Sequence, residues 1–373
     1  METAPPIYTE RNECQDCFKC VRECPVKAIK IGNSCANVIQ EYCLACGHCV
    51  GVCPSGAKRV RDDLDAARRL LEQKKQVLVS LAPSFVSEFP DIPPAALIRA
   101  LKQLGFYGVS ETALGAQMVS GSVAKMLNDP APRLLISSAC PVIVDYLQKY
   151  QPATAASLTP LASPVLSHCH LLRTTFGPDL GIIFVSPCIA KKREADSHPE
   201  LLDVAITFAD LHRWFAEKGI DPHSLTAQPD DIFIPEPAQE GGLYPIDGGM
   251  SAGIKAGCSA IEAQYMSFSG ITTIQKALDG LLKVPLQHPV FLELLACEGG
   301  CVNGPQADTN NGTVWKRGQI IRRTPGPAER PVRPASAPSL LYQPVDLHLT
   351  RTYPEAQILE CLRSIGKQTP EDE

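Results

Sequence analysis

A glycine-rich stretch with two cysteines carries the most reactive chemistry of this sequence. Cys297 and Cys301 lie four residues apart in Leu-Ala-Cys-Glu-Gly-Gly-Cys-Val-Asn-Gly-Pro, after an apolar run, Val290–Leu295, that predicts a buried strand. Gly299 and Gly300 lack side chains, so the backbone can approach a bulky group closely. The stretch is therefore either a metal or cluster site or a glycine-rich turn that carries two buried thiols.

Two other cysteines occupy similar positions and favour the cluster interpretation. Cys140 lies in Ser-Ser-Ala-Cys-Pro after the apolar run Leu134–Ile136, and Cys188 lies in Ser-Pro-Cys-Ile-Ala-Lys-Lys after the run 182–185. Ligands gather at the carboxyl ends of strands in open α/β sheets. Four thiols brought to one such edge make an iron–sulfur ligand set.

The first 60 residues hold nine of the sixteen cysteines and predict a small separate domain. Two runs follow C-x2-C-x2-C-x3-C-P, the signature of bacterial ferredoxins with two 4Fe–4S clusters, in which the fourth cysteine of each run binds the other cluster. The ligands predicted for cluster 1 are Cys14, Cys17, Cys20 and Cys53. The ligands predicted for cluster 2 are Cys43, Cys46, Cys49 and Cys24. A zinc ribbon is the alternative, and two complete runs with trailing prolines weigh against it.

Composition restricts the class of protein. The formal net charge is −5 over 373 residues, so no basic surface for nucleic acid or anionic membrane is predicted. No apolar run approaches the ~18 residues that predict a membrane span. The sequence starts Met-Glu-Thr-Ala-Pro-Pro, without a secretory pattern, and the many cysteines then favour metal ligation in a reducing compartment. We expect a cytoplasmic protein that binds neither nucleic acid nor membrane.

After residue 76, apolar runs alternate with helical patterns. The predicted strands are Val77–Leu81, Leu134–Ile136, 182–185, 204–206 and Val290–Leu295. The predicted helices are 95–104, 112–128, 142–150, Phe208–Lys218 and 354–365. This alternation predicts an α/β domain across 77–373, with a mixed or parallel sheet flanked by helices.

Three segments connect or cover these elements. Residues 61–76 are the predicted connector, a helix in which Leu64, Ala67 and Leu71 recur at helical spacing. Residues 228–242 are polar and proline-bearing, which predicts a surface excursion. Residues 323–344 are proline-rich and predict an extended strap. With an α+β dicluster domain over 1–60, two domains joined by a helix are expected.

The three later cysteine segments together resemble the cluster-binding motifs of iron–iron hydrogenases, in the same order and with similar separation. The resemblance runs from about residue 77 to 366. It implies a 4Fe–4S cluster bound by Cys140, Cys188, Cys297 and Cys301. Cys301 would also bridge to a two-iron subsite that carries carbonyl, cyanide and azadithiolate ligands. This composite cofactor is the H-cluster.

The same resemblance assigns pocket residues around the two-iron subsite. The segment Leu-Ala-Pro-Ser at 81–84 is similar to one that lines the pocket with a serine near one cyanide, so Ser84 and Pro83 inherit that place. Lys191 matches the lysine that contacts the other cyanide, and Pro187 precedes a cluster cysteine. A buried anionic ligand needs such donors, because an unsatisfied one costs several kcal/mol. The alternative for Lys191 is a solvated basic pair with Lys192.

The departures from the family pattern concern proton transfer. Efficient members carry a cysteine where this chain has Ala139, and a side chain that cannot ionise cannot shuttle protons. The acidic relay of the family falls on Gln117, Gly121 and Ser122. Two methionines and a glutamine of the family are replaced here by Ser186, Leu295 and Val165. The cluster ligands are retained while the residues of the proton-transfer path are replaced. This combination resembles the sensory branch of the family and implies slow turnover.

Two residues are candidates for a substitute proton relay. Glu298 follows a ligand cysteine, where burial would raise its pKa toward the range useful for proton exchange. The alternative is a surface carboxylate on the turn. Cys169 is the weaker candidate, since a thiol acts as a relay only if it reaches the pocket, and its default interpretation is packing.

Two functions follow from these observations. The first is a slow, sensory-type hydrogenase that interconverts H2 with protons and electrons, relayed through the N-terminal clusters. The second is a hydrogenase-like iron–sulfur protein with a role in cluster assembly or structure. The expected partners are maturation proteins and either a ferredoxin-like redox protein or a downstream signalling protein. The sequence leaves open the oligomeric state and whether the chain is stand-alone or truncated.

Overall fold

The computed structural model describes residues 4–260, 262–283, 285–324, 360 and 363. Most of the proline-rich segment 323–344 and most of the predicted helix 354–365 lie outside the described residues. The described part from 4 to 324 belongs to one compact unit. None of the helices in these ranges is long and apolar enough to cross a membrane.

The N-terminal part is built from two short antiparallel strand pairs and two short helices. The strands are β1 (Ile7–Thr9), β2 (Ile29–Ile31), β3 (Ala36–Val38) and β4 (Lys58–Val60), and the helices are α1 (Lys19–Glu23) and α2 (His48–Val52). Strand β1 pairs with β4, and β2 pairs with β3. Each helix starts after a left-handed residue inside a cysteine run, Phe18 in the first and Gly47 in the second. The repeat in the sequence is therefore a repeat in the structure.

Two parallel sheets form the larger part of the chain. The strands are β5 (Val77–Leu81), β6 (Gly108–Glu111), β7 (Leu134–Ile136), β8 (Gly181–Ser186), β9 (Val204–Thr207), β10 (Gln264–Ser269) and β11 (Val290–Leu295). One sheet has the order β6-β5-β8-β9 and the other the order β10-β11-β7. Every residue of β5, β8 and β11 is buried, as expected for parallel strands covered on both faces.

Helices cover both sheets. They are α3 (Leu64–Gln73), α4 (Phe85–Glu88), α5 (Pro94–Gln103), α6 (Ala113–Leu127), α7 (Pro141–Tyr150), α8 (Pro152–Ala155), α9 (Pro164–Phe176), α10 (Ala190–Ser197), α11 (Phe208–Lys218), α12 (Gly249–Gly257), α13 (Ile271–Leu278) and α14 (Thr313–Arg323). The connector helix α3 buries Leu64, Ala67 and Leu70 in the core of the four-stranded sheet. The buried Lys192 ammonium lies 2.8 Å from Asp63, just before α3, and anchors it.

The predicted α/β fold and its principal elements are confirmed. Strands β5, β7 and β11 and helix α11 have the predicted bounds. The connector helix is three residues shorter than predicted at each end, and the other predicted elements within the described ranges differ by one residue at one or both ends. One sheet was expected, and the structure has two parallel sheets. Strand β11 pairs with β7 and β10, and none of these three strands pairs with β5. Strand β10 and helices such as α9 and α12 were not predicted. Their sequences mix polar and small residues with the apolar ones, which blurs the periodicity.

Candidate iron–sulfur centre

Four cysteines of the larger domain line one cavity. Cys140 immediately precedes α7, and Cys188 lies two residues after β8. Cys297 lies two residues after β11, and Cys301 begins a short 3-10 helix. The cavity has a volume of about 110 Å³. The strand ends thus bring the four thiols together as predicted, while their ligation of a cluster remains a prediction.

The glycines between Cys297 and Cys301 are required by the turn. Gly299 has φ +76° and Gly300 has φ +104°, in the left-handed region that disfavours side chains. A Cβ on Gly300 would overlap the Pro245 carbonyl, and one on Gly299 would press on Thr313. The close backbone approach that these glycines permit is therefore made to Pro245 and Thr313 of the same chain.

Burial controls the acid–base behaviour of the four thiols. Burial raises the pKa of Cys140, and burial with the neighbouring Cys140 raises that of Cys188 to about 11. Burial and the other cysteines raise the pKa of Cys297 and Cys301 further. Four neighbouring buried thiols cannot all ionise without a nearby positive charge, because like charges repel strongly when desolvated. A cationic iron core supplies the missing positive charge, so the donor set fits an iron–sulfur cluster.

The cavity wall has a single charged side chain. Among the described residues that line it, only Lys191 carries a charge. Its ammonium donates to Ser163 Oγ at 3.2 Å and to the buried carboxylate of Glu194, one helical turn along α10. The interpretation of Lys191 as a pocket residue therefore agrees with its position, and a solvated basic pair does not. Lys192 is also buried, between Asp63 and Asp210.

The other positions expected in the pocket also line the cavity. They are Pro83, Ser84, Ala139, Val165, Ser186, Pro187 and Leu295. The positions of the family's acidic relay lie elsewhere on α6. Gln117 accepts a hydrogen bond from the Gln239 N–H at 2.9 Å, and the Ser122 hydroxyl donates to the Met118 carbonyl. These two side chains are used to hold the local structure.

Neither candidate for a substitute relay lies on the cavity wall. The expectation that Glu298 is buried is wrong, because its side chain is exposed. It lines an open groove that also contains His48 and Asn303, since the turn directs it away from the cavity. Cys169 is fully buried in the apolar core beside the four-stranded sheet, and burial raises its pKa. Its default interpretation as a packing residue agrees with this position.

A buried polar chain begins at the cavity and was not predicted. Thr112 lines the cavity, and its hydroxyl lies 2.8 Å from Ser80 Oγ. Ser80 Oγ lies 2.8 Å from Nδ1 of the fully buried His168, whose Nε2 lies 2.8 Å from Ser110 Oγ. Burial lowers the pKa of His168 to about 3, so the ring is neutral. The only sequence signal for this polar chain was the presence of Ser80 and Ser110 in strands, where they interrupt apolar runs.

A buried carboxylate in β11 was also missed. Glu293 accepts hydrogen bonds from the Ser251 N–H and hydroxyl, both at 2.8 Å, at the first turn of α12. Burial raises its pKa. The charge at a helix N-terminus is favourable and ties the three-stranded sheet to α12. The signal was a single acid inside an otherwise apolar strand.

The N-terminal cysteines approach this centre. Cys46, a predicted ligand of cluster 2, lines the same cavity as Cys297. Lys149 and Arg193 of the larger domain donate to the Cys43 carbonyl at 3.1 and 2.9 Å, which fixes the second cysteine run against α7 and α10. The second cysteine run of the N-terminal part therefore contributes to the wall of the cavity.

Comparison with known proteins identifies the family. Residues 75–305 match the family model of the C-terminal domain of the iron-only hydrogenase large subunit. The chain belongs to this family. Residues 6–62 match the model of a 4Fe-4S dicluster domain, so the N-terminal part is an iron–sulfur domain rather than a zinc ribbon.

Hydrogenases and NAR1 proteins are among the relatives of the chain. It is 25% identical over 352 residues to the NADP-reducing hydrogenase subunit HndD of Solidesulfovibrio fructosivorans, covering 76% of this chain and 60% of that one. It is 24% identical over 347 residues to protein NAR1 of Arabidopsis thaliana, covering 72% of each. The solved structure of a variant of FeFe-hydrogenase HydA1 from Chlamydomonas reinhardtii has a TM-score of 0.56 at 18% identity, covering 75% of this chain and 93% of that one. This likeness shows an FeFe-hydrogenase-like fold.

Proposed function

We propose that this chain is a slow FeFe hydrogenase of the sensory type, which holds an H-cluster in the cavity lined by Cys140, Cys188, Cys297 and Cys301. The observation that carries the proposal is the cavity itself. Its four thiols fit a cubane, and Lys191, the charged side chain among the described residues that line it, fits an anionic ligand of a two-iron subsite. When bound, the H-cluster supplies the redox chemistry that interconverts H2 with protons and electrons.

The residues of the chain hold and isolate the cofactor. The four cysteines would hold the cubane as thiolates, and Cys301 would also hold the two-iron subsite. Lys191 and Ser84 would serve as hydrogen-bond donors toward that subsite, and Pro83 and Pro187 would exclude water beside it. Ala139 lies at the cavity where a proton carrier is needed and offers only a methyl group. A missing acid/base of this kind lowers turnover by about 10²–10⁴-fold.

Electrons travel through the N-terminal clusters. Cys46, a predicted ligand of cluster 2, shares the cavity wall with Cys297, whereas none of the predicted ligands of cluster 1 lines the cavity, and one of them, Cys17, is exposed. A redox or signalling protein would dock near cluster 1. Low turnover with an intact electron path suits a protein that reports the level of H2.

The second candidate is a hydrogenase-like iron–sulfur protein without H2 chemistry, and the similarity to NAR1 over 347 residues favours it. The test is an anaerobic assay of protein matured with the two-iron subsite. The proposal expects slow H2 oxidation with an artificial acceptor, above that of a Cys301→Ser variant. Activity equal to that of the variant would favour the second candidate.

A further inference from the structure

A lysine occupies an apolar position of the internal repeat. Ile29 lies five residues after Cys24, and Lys58 lies five residues after Cys53, so the two are equivalent in the two halves of the dicluster domain. Ile29 is 6% exposed and Lys58 only 2% exposed. Lysine is almost never fully buried unless its charge is paired. The second half of the repeat therefore contains a buried cation that the first half lacks.

The Lys58 ammonium binds two neutral oxygen atoms. Strand pairing places Lys58 opposite Thr9, and Lys58 Nζ donates to Thr9 Oγ1 at 2.5 Å. It also donates to the Ala36 carbonyl, which accepts a hydrogen bond from the Thr9 hydroxyl at 2.7 Å as well. Both partners accept hydrogen bonds from Lys58 Nζ, and neither carries a charge. No carboxylate in the described ranges lies within ion-pair distance of it.

The backbone around the Lys58 ammonium contacts predicted ligands of cluster 1. The Lys58 N–H donates to the Cys53 sulfur, a predicted ligand of that cluster. The ammonium binds the carbonyl of Ala36, and the Ala36 N–H donates to the sulfur of Cys14, another predicted ligand of the same cluster. A 4Fe–4S cluster with four thiolates is anionic, and it gains one further negative charge on reduction. A buried cation without a carboxylate partner is stabilised by such an anion.

We propose that Lys58 is a redox-tuning residue, whose buried charge raises the reduction potential of cluster 1 above the value that the ligand set alone would give. Net charge near a cluster and its burial are the protein's means of setting its potential. Because cluster 1 is the distal cluster, a raised potential draws electrons away from the cavity and favours H2 oxidation. The tuning rests on the dicluster domain and holds with or without the two-iron subsite.

The cationic side chains near the predicted cluster 2 differ from Lys58 because they have a carboxylate partner. Lys149 and Arg193 reach the Cys43 carbonyl from the larger domain, but Asp145 lies 3.8 Å from Lys149 and 2.6 Å from Arg193. Their charge is therefore partly cancelled by this carboxylate. Lys58 has no such partner among the described residues, so its field acts on cluster 1 with less compensation.

The test is a redox titration of the reconstituted full chain without the two-iron subsite. The reduced fraction of each N-terminal cluster is read from the hyperfine-shifted cysteine β-proton resonances, which NMR assigns by sequence. Lys58→Met and Lys58→Gln remove the charge, and Lys58→Arg keeps it. Lys30→Met, an exposed lysine in β2, is the matched control.

The neutral variants are expected to lower the reduction equilibrium constant of cluster 1 at least tenfold, about 59 mV for one electron. Lys58→Arg and Lys30→Met should change it less than threefold, and cluster 2 should shift less than cluster 1. Loss of cluster 1 from both neutral variants, with retention in Lys58→Arg, would also support the charge pairing. Unchanged potentials in the neutral variants, or loss of cluster 1 from all three, would overturn the inference. Absence of H2 activity would leave this result unaffected and would count only against the proposed function.

Discussion

The Lys191 ammonium donates to the carboxylate of Glu194, and both side chains are buried, although of the two only Lys191 lines the cavity. Lys191 and Glu194 lie one helical turn apart on α10, and Ser163 Oγ is a further acceptor for the ammonium. A charged donor is thus fixed beside the predicted two-iron subsite before any anionic ligand arrives, and part of its ordering entropy is already lost.

Replacement of Lys191 by Met should reduce retention of the two-iron subsite at least tenfold, because its anionic ligand would lose a charged donor. The subsite is measured as infrared band intensity per cubane iron. Lys191→Arg keeps the charge and should retain more than half of the intensity. Full intensity in Lys191→Met would remove Lys191 from the binding of the subsite.

Ala139→Cys should raise H2 turnover less than tenfold. The substitution restores a thiol at the cavity, but the relay beyond it falls on Gln117, Gly121 and Ser122, which do not ionise near neutral pH. A complete relay is worth about 10²–10⁴-fold, and one carrier without its partners is worth much less. The measurement is anaerobic H2 oxidation per two-iron subsite. A rise of a hundredfold or more would mean that another proton path already reaches Ala139.

Glu298→Gln should leave turnover within twofold of the parent chain. The side chain is exposed and faces the groove beside His48, so it neither contacts the cavity nor transfers protons to it. Stopped-flow H2 oxidation with equal cofactor content provides the comparison, with Glu23→Gln, at an exposed carboxylate of the same groove, as a matched control. A tenfold loss confined to Glu298→Gln would restore its role as a relay.

The gathering of four cysteines at one cavity could be predicted from the sequence because its signal is local. An apolar run ends, a cysteine follows within a few residues, and parallel strands deliver it to one edge, as for Cys188 after β8 and Cys297 after β11. The orientation of Glu298 could not be predicted, because it depends on which way a turn points. That direction is set by Gly299 and Gly300 packing against Thr313 and Pro245, residues distant in sequence.

The buried polar chain could not be predicted for a related reason. Ser80 and Ser110 stand in adjacent parallel strands, and each needs a partner that only the packing of α9 supplies, in the form of His168. A histidine on a helix looks the same in sequence whether it faces solvent or core. The burial of Lys58 could not be predicted either, since the pairing of its strand with the strand of Thr9 decides which way its side chain points.

His168 should make the protein less stable in acid. Burial lowers its pKa from 6.5 to about 3, so the unfolded chain takes up a proton near pH 6.5 and the folded chain does not until about pH 3. Stability contributed by this group is full above pH 6.5 and is lost as the pH falls toward 3, at up to about 1.4 kcal/mol per pH unit.

The measurement compares anaerobic urea midpoints at pH 7 and pH 5. His168→Gln, whose amide can still bond both serines, should lose about 2 kcal/mol less between these values than the parent chain. His223→Gln, at an exposed histidine, should behave like the parent. Equal pH dependence of the two variants would show that His168 is not held neutral in the folded chain.

The most direct test of the central claim is infrared spectroscopy of the matured chain together with its iron content. Three cubanes and a two-iron subsite predict about fourteen irons per chain, against twelve before maturation, with carbonyl and cyanide stretching bands only in the matured form. Cys301→Ser should abolish the bands and leave the two N-terminal clusters intact. Twelve irons and no carbonyl or cyanide bands after maturation would contradict an H-cluster at this cavity, and the chain would then be an iron–sulfur protein without H2 chemistry.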